Sequence, residues 1–267
     1  MKNKKAYVIF IFVATAIIVF MGVNLGIKAS SLVQKNTKYK KEEIAKKEET
    51  TKNFKIEYKE ESFTLKNKKG KEMIENKRYL PILTSDDFQM QADKITSQLT
   101  FYSDIVWNDI SEQSKLYVDE LDSKVGVNYI PKVIEQNDVY FTFVYDLSGS
   151  LGEFSKEDRK GYTFSVVTGD LLTLDSITTD KTQLLDKCYN KLSSYIVHQE
   201  YKGDLDEKWY DKLKILIEKE ENWYLTKDGI SFTFPKYSLG TGYIGVISYT
   251  VSYDELEDFI LEEYKNA

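Results

Sequence analysis

Apolar side chains fall first into one unbroken block and then into two alternating rhythms. Residues 6–27, AYVIFIFVATAIIVFMGVNLGI, carry no charged side chain. As a helix rising about 1.5 Å per residue the block is about 30 Å long, enough to cross a bilayer's hydrocarbon core. Residues 30–53 are Lys/Glu-rich and poor in apolar positions, which predicts a solvated linker. From Phe54 the period is two: Phe54, Ile56 and Tyr58 alternate with Lys55, Glu57 and Lys59, a strand. Asn67-Lys68-Lys69-Gly70 reads as a hairpin turn before a second extended run through Tyr79-Leu80-Pro81-Ile82-Leu83. Thr84-Ser85-Asp86-Asp87 then starts a helix, with Phe88, Ala92, Ile95, Leu99 and Tyr102 at helical spacing and an end near Leu121. Strands are expected at residues 125–134, 139–145 and 161–167, followed by a Thr168-Gly169-Asp170 turn into Leu171-Leu172-Thr173-Leu174. Helical spacing returns over residues 179–201 and 206–221. Two strands follow at 229–234 and 243–251, and Ser252 caps a last helix carrying Leu256, Phe259, Ile260 and Tyr264. The expected class is α+β, with antiparallel sheets packed with helices behind one N-terminal transmembrane helix. Four segments result: tail and anchor 1–29, linker 30–53, and two ectodomain halves, 54–155 and 156–267.

Charge sets the orientation of this plan. Lys2, Lys4 and Lys5 precede the apolar block, so the short tail is expected inside and the large remainder outside, a single-pass cell-membrane protein. A removable signal peptide is the alternative, since small residues stand at Ala29-Ser30-Ser31. Ile27 and Lys28 occupy positions where cleavage wants a small residue, so the uncleaved anchor is preferred. The net charge of −6 hides a gradient: residues 1–78 carry 19 basic and 9 acidic side chains, and residues 79–267 carry 18 basic and 34 acidic, net −16. Such a field confers solubility, and it also repels nucleic acid and draws a basic protein.

The usual catalytic sets are missing. His198 sits near the end of a predicted helix and Cys188, the single cysteine, lies on an apolar helical face, where a buried, inert thiol is expected. One His and one Cys cannot build the common zinc sites, and no disulfide can form within the chain. No nucleotide-binding glycine fingerprint, phosphate-binding loop or Gly-x-Ser-x-Gly elbow occurs; Gly240-Thr241-Gly242-Tyr243-Ile244-Gly245 lies between strands and reads as a tight loop. Acid pairs such as Asp86-Asp87, Asp119-Glu120 and Glu220-Glu221 read as helix-end charges in preference to glycosidase carboxylates. The expectation is a protein without catalysis, cofactor or metal.

The runs YTFSVVTGDLLTLDSI and WYLTKDGISFTFPKYSLGTGYIGVISYTVSYDELEDFI resemble the extracytoplasmic domain of the anti-sigma-V factor (RsiV-like) family. Its Gly-x-Leu-x-Leu, Gly-x-x-Phe-x-Phe-x-x-Tyr and Tyr-x-Glu-Leu elements would here begin at Gly169, Gly229 and Tyr253, with a glycine-bearing loop from Leu239 to Gly245. The part from Tyr79 to Leu147 looks like a companion domain also found beside some peptidoglycan deacetylases, so the likeness spans the chain from Phe54 onward. The resemblance implies a lysozyme receptor, in which lysozyme binding licenses proteolysis and frees a sigma factor. Only about five residues precede the apolar block here, too few to fold around a sigma factor.

The resemblance therefore implies a lysozyme-binding and lysozyme-inhibiting surface protein without the signalling half. It places partner contacts at Ser148, Gly149, Ser150, Leu151 and Gly152, where the family loop usually has Gly-Gly-Ala-His and the histidine is missing. It places a second set at Leu239, Gly240, Thr241, Gly242 and Tyr243, of which Tyr243 offers a large, rigid contact area. The alternatives are an envelope enzyme or its accessory domain acting on peptidoglycan, a wall-binding module, and an anti-sigma factor with a truncated tail.

Overall fold

The computed structural model describes residues 49–50, 53–151, 154–199, 201, 203–256 and 259–267. The expected anchor at 6–27 and nearly all of the linker lie outside the described residues. Among the described residues no helix is long and apolar enough to cross a membrane. Residues 46–267 make one compact unit.

Five long strands form the main sheet: β2 (Lys55–Lys66), β3 (Glu72–Thr84), β4 (Gly126–Gln136), β5 (Tyr140–Leu151) and β6 (Phe154–Ser165), lying side by side in chain order. The two-residue β1 (Glu49–Thr50) adds to the β2 edge. Asn67 makes the first hairpin as expected: its side-chain oxygen accepts the amides of Lys69 and Lys71 at 3.0 and 3.1 Å, and Gly70 takes φ 78°. The β3–β4 junction is parallel, with Lys77 opposite Asn128 and Arg78 opposite Tyr129. That departs from the all-antiparallel expectation, because α1 (Gln89–Tyr117) lies between these two strands in the chain, and a parallel neighbour needs a long crossover of this kind. Helix α1 begins at Gln89, just after the acidic pair, and Ser85 accepts the amide of Phe88 at 3.0 Å in the turn that precedes it.

Helix α1 covers one face of the sheet over two apolar clusters. Ala92, Ile95 and Leu99 meet Phe54, Phe141, Phe143 and Phe164 at one end, and Ile110 meets Met73, Val127 and Leu151 at the other. Between the clusters runs a polar belt. Arg78, with 8% of its side chain exposed, binds one oxygen of Glu61 through Nε at 2.9 Å and Nη2 at 2.6 Å, and donates to Asp104 at 2.6 Å. Its guanidinium carbon is 5.3 Å from the Trp107 ring centre. Asn76 joins the parallel strands from the side: it accepts the Val127 amide at 2.9 Å and donates to Ser114 of α1 at 2.8 Å.

The second lobe contains α2 (Leu174–Ile177), α3 (Lys181–His198), α4 (Trp209–Ile217), the antiparallel strands β7 (Trp223–Thr226), β8 (Gly229–Phe234) and β9 (Ile247–Ser252), and short terminal helices α5 (Tyr253–Leu256) and α6 (Glu262–Lys265). Leu184, Cys188, Leu192 and Ile196 turn one face of α3 onto Phe232, Phe234 and Val251. Burial pushes the Cys188 thiol up to about 12, so it is the inert thiol that its surroundings implied. His198 closes α3 exposed, its Nδ1 2.6 Å from the Ser194 carbonyl. Ser252 caps α5 reciprocally with Glu255: its hydroxyl accepts the Glu255 amide at 3.3 Å and its own amide donates to Glu255 at 3.1 Å.

The second lobe packs on the face of the main sheet opposite α1. Thr163 accepts the Leu225 amide at 2.9 Å, and the Tyr224 ring lies where a Cβ on Gly161 would fall, 2.2 Å away. Lys160 extends the joint, 3.6 Å from Asp158 and 3.8 Å from Glu221.

Candidate functional site

The first expected contact segment is strand, not loop. Ser148, Gly149, Ser150 and Leu151 end β5, with Ser148 opposite Asn128 and Glu157, and Ser150 opposite Gly126 and Ser155. The sequence placed the start of the next strand at 161, whereas β6 begins at Phe154. Residues 156–160, Lys-Glu-Asp-Arg-Lys, carry no apolar alternation, because ion pairs rather than core flank them on both faces. Gly149, at φ 138°, sits so close to β4 that a Cβ would be 2.2 Å from the Gly126 carbonyl oxygen. Leu151 is core and Gly152 lies outside the described residues.

Strand alternation sends Leu147 and Leu151 toward α1 and its clusters, and hence Ser148 and Ser150 to the opposite face. There Ser148 and Ser150 are partly exposed. Asp146 also points onto that face, accepting from Arg159 at 2.6 Å and pairing with Lys132 at 2.9 Å. Burial would raise the Asp146 carboxyl, but the hydrogen bonds from Arg159 and Lys132 outweigh it and hold the group below the usual carboxylate range. A depressed value means that the stability contributed is complete above the unfolded value near pH 4 and fades as pH falls through the folded value. Asp146→Asn is therefore expected to cost about 1–2 kcal/mol at neutral pH and to flatten the acid limb of the stability curve, read by urea unfolding from pH 7 to 3. An unchanged acid limb would contradict this.

The second expected segment belongs to the connection from β8 to β9, residues 235–246. Its tyrosine is outermost: Tyr243 is 80% exposed, while Leu239 is buried in the second-lobe core. The strand expected from residue 243 begins only at Ile247, since Gly245 takes φ 71° and lengthens the loop. Three ties hold this loop. Its Gly240 bridges Leu205, and the Asp206 amide donates to the Leu239 carbonyl at 3.0 Å. Thr241 donates to Asp204 from both its amide and its hydroxyl, each at 2.7 Å. Lys236 donates through its backbone amide to the Glu157 carbonyl at 3.3 Å and through Nζ to Ser155 at 2.5 Å.

Those last bonds join the two expected segments at one corner. Ser155 is the register partner of Ser150 and Glu157 that of Ser148, so Lys236 fastens the loop to the strand beside them. The corner presents the hydroxyl-bearing end of the sheet face, the exposed Tyr243, and Tyr237, which is 50% exposed. Tyr237, Lys236 and Asp204 were absent from the contact set expected from sequence. Tyr237 stands in the Gly229–Tyr237 pattern and had a signal; Asp204 had none, because its partner Thr241 is far along the chain. Among the described residues no group of three or more His, Cys, Asp or Glu is placed to hold a metal ion. The corner brings together aromatic area, hydroxyls and paired charges.

A family model described as "Protein of unknown function (DUF3298)" matches residues 170–254, so the chain carries this domain over most of its second lobe. Among solved structures, a DUF3298 family member from Bacteroides fragilis NCTC 9343 is similar at TM-score 0.56 and 13% identity, covering 79% of this chain and 96% of that one. A DUF3298 family protein from Pseudomonas aeruginosa PAO1 aligns at TM-score 0.46 and 13% identity, over 78% of this chain and 95% of that one. At these identities the first likeness establishes a shared fold. No curated protein matched.

Proposed function

We propose that this is a membrane-anchored, extracytoplasmic, non-catalytic protein that binds a basic lysozyme and inhibits it by covering its cleft. The observation that carries the reading is the 235–246 loop, which holds a tyrosine 80% exposed on a turn tied down on both flanks. A rigid aromatic anchor of this kind is what protein interfaces use for their largest energetic contributions. The surrounding charge supports a basic partner: residues 79–267 carry a net −16. The RsiV-like motifs at Gly229–Tyr237 and Tyr253 support lysozyme in particular, and the uncharged 6–27 segment supports anchoring with this domain outside.

Titration of the full-length chain into hen-type lysozyme, with lysis of cell-wall substrate followed in the same samples, tests the proposal. Loss of lysis that saturates near one chain per enzyme supports it. Undiminished lysis at saturating chain contradicts the inhibitory part.

A further inference from the structure

Resting on that reading of the loop, we infer that Tyr237 is a positioning residue: its ring props the 240–243 turn in the shape that projects Tyr243, and so fixes the fraction of free protein competent to bind. Tyr237 is the one non-glycine at positive φ among the described residues, at 69°. A bulky L residue holds that conformation only where its surroundings over-determine it, and such positions concentrate at functional sites.

The surroundings here are specific. A Cβ on Gly242 would lie 2.4 Å from Cε1 of Tyr237 and 2.7 Å from its Cζ and Oη, so the ring lies directly against the turn's backbone. Lys236 Nζ is 5.7 Å from the ring centre while it holds Ser155. The far side of the turn is closed by the two bonds from Thr241 to Asp204 and by Gly240, whose Cβ would be 2.1 Å from the Asp204 carbonyl oxygen. Tyr243 thus emerges from a turn clamped by an aromatic ring on one side and by the 204–205 backbone on the other.

A loop ordered before encounter loses little freedom on binding. If only a fraction of molecules holds the competent shape, the apparent affinity falls by that fraction, while contacts in the formed complex are unchanged. Damage to the clamp therefore lowers the association rate, whereas loss of a contact made by Tyr243 raises the dissociation rate.

Tyr237→Gly separates the ring from the backbone strain, because glycine adopts φ 69° freely and brings no ring. In the free full-length chain this variant is expected to keep or raise the thermal midpoint, while the Thr241 and Ile244 amides exchange hydrogen about tenfold faster. With hen-type lysozyme its association rate is expected to fall about tenfold and its dissociation rate to stay within about twofold. Tyr237→Phe, which retains the ring, is expected to behave as wild type in every measurement. Unaltered exchange in Tyr237→Gly, faster exchange with unchanged association, or an equal loss in Tyr237→Phe would each overturn the inference. Failure of the wild-type chain to bind lysozyme would instead overturn the partner reading, and exchange in the free chain would still decide whether the ring orders the turn.

Discussion

Arg78→Ala is expected to destabilise the chain by about 3 kcal/mol, a large part of the 5–15 kcal/mol that holds a typical domain together. The guanidinium is buried and joins three side chains at once: Glu61 from β2, and Asp104 and the face of Trp107 from α1. Alanine would leave Glu61, whose carboxyl the hydrogen bonds from Lys59 and Arg78 hold below its usual range, beside an unfilled space. Asp104 is about half exposed and can turn to water, which keeps the figure at the low end of the range for broken buried pairs. At this chain length such a loss lowers the thermal midpoint by about 10 °C. Arg78→Lys retains charge but not the fork and is expected to fall between. A midpoint for Arg78→Ala within about 2 °C of wild type would mean that the polar belt under α1 does not join these elements energetically.

Tyr243→Ala is expected to weaken lysozyme binding by about 2 kcal/mol, roughly thirtyfold, with stability unchanged. The side chain is 80% exposed, so its removal takes nothing from the core. The loss should appear as faster dissociation, and Ser148→Ala and Ser150→Ala, on the sheet side of the same corner, should change binding by much less. Equal affinities for wild type and Tyr243→Ala, measured by surface plasmon resonance at one salt concentration, would remove the loop from the interface.

The fold class was readable because the elements that build it bury regular apolar patterns. Strand β8 was bounded correctly at Gly229–Phe234, where all six residues are buried between flanking turns, and α3 showed its Leu184–Cys188–Leu192 stripe. Reading failed where structure is held by other forces. The start of β6 is a run of charged residues paired across and along the strand, so hydrophobic periodicity placed its beginning at 161 and left Ser148 to Leu151 as a loop. Strand β7 is only four residues long and lies against a helical block, too short for a period to emerge. The parallel β3–β4 pair depends on the path of α1 and on the Asn76 side chain, neither of which leaves a local pattern. At the candidate site, Tyr243 was legible as a tyrosine between glycines, while its supports at Asp204 and Ser155 come from distant parts of the chain.

Calorimetric titration of hen-type lysozyme with the full-length chain, at low and at physiological salt, tests the proposed complex with a basic muramidase most directly. Saturable heat is expected at both salts with one chain per enzyme, and an affinity that falls as salt rises, because the attraction to the acidic residues 79–267, net −16, is screened over about 8 Å at physiological ionic strength. Absence of binding heat at either salt, with the chain shown to be folded, would contradict it.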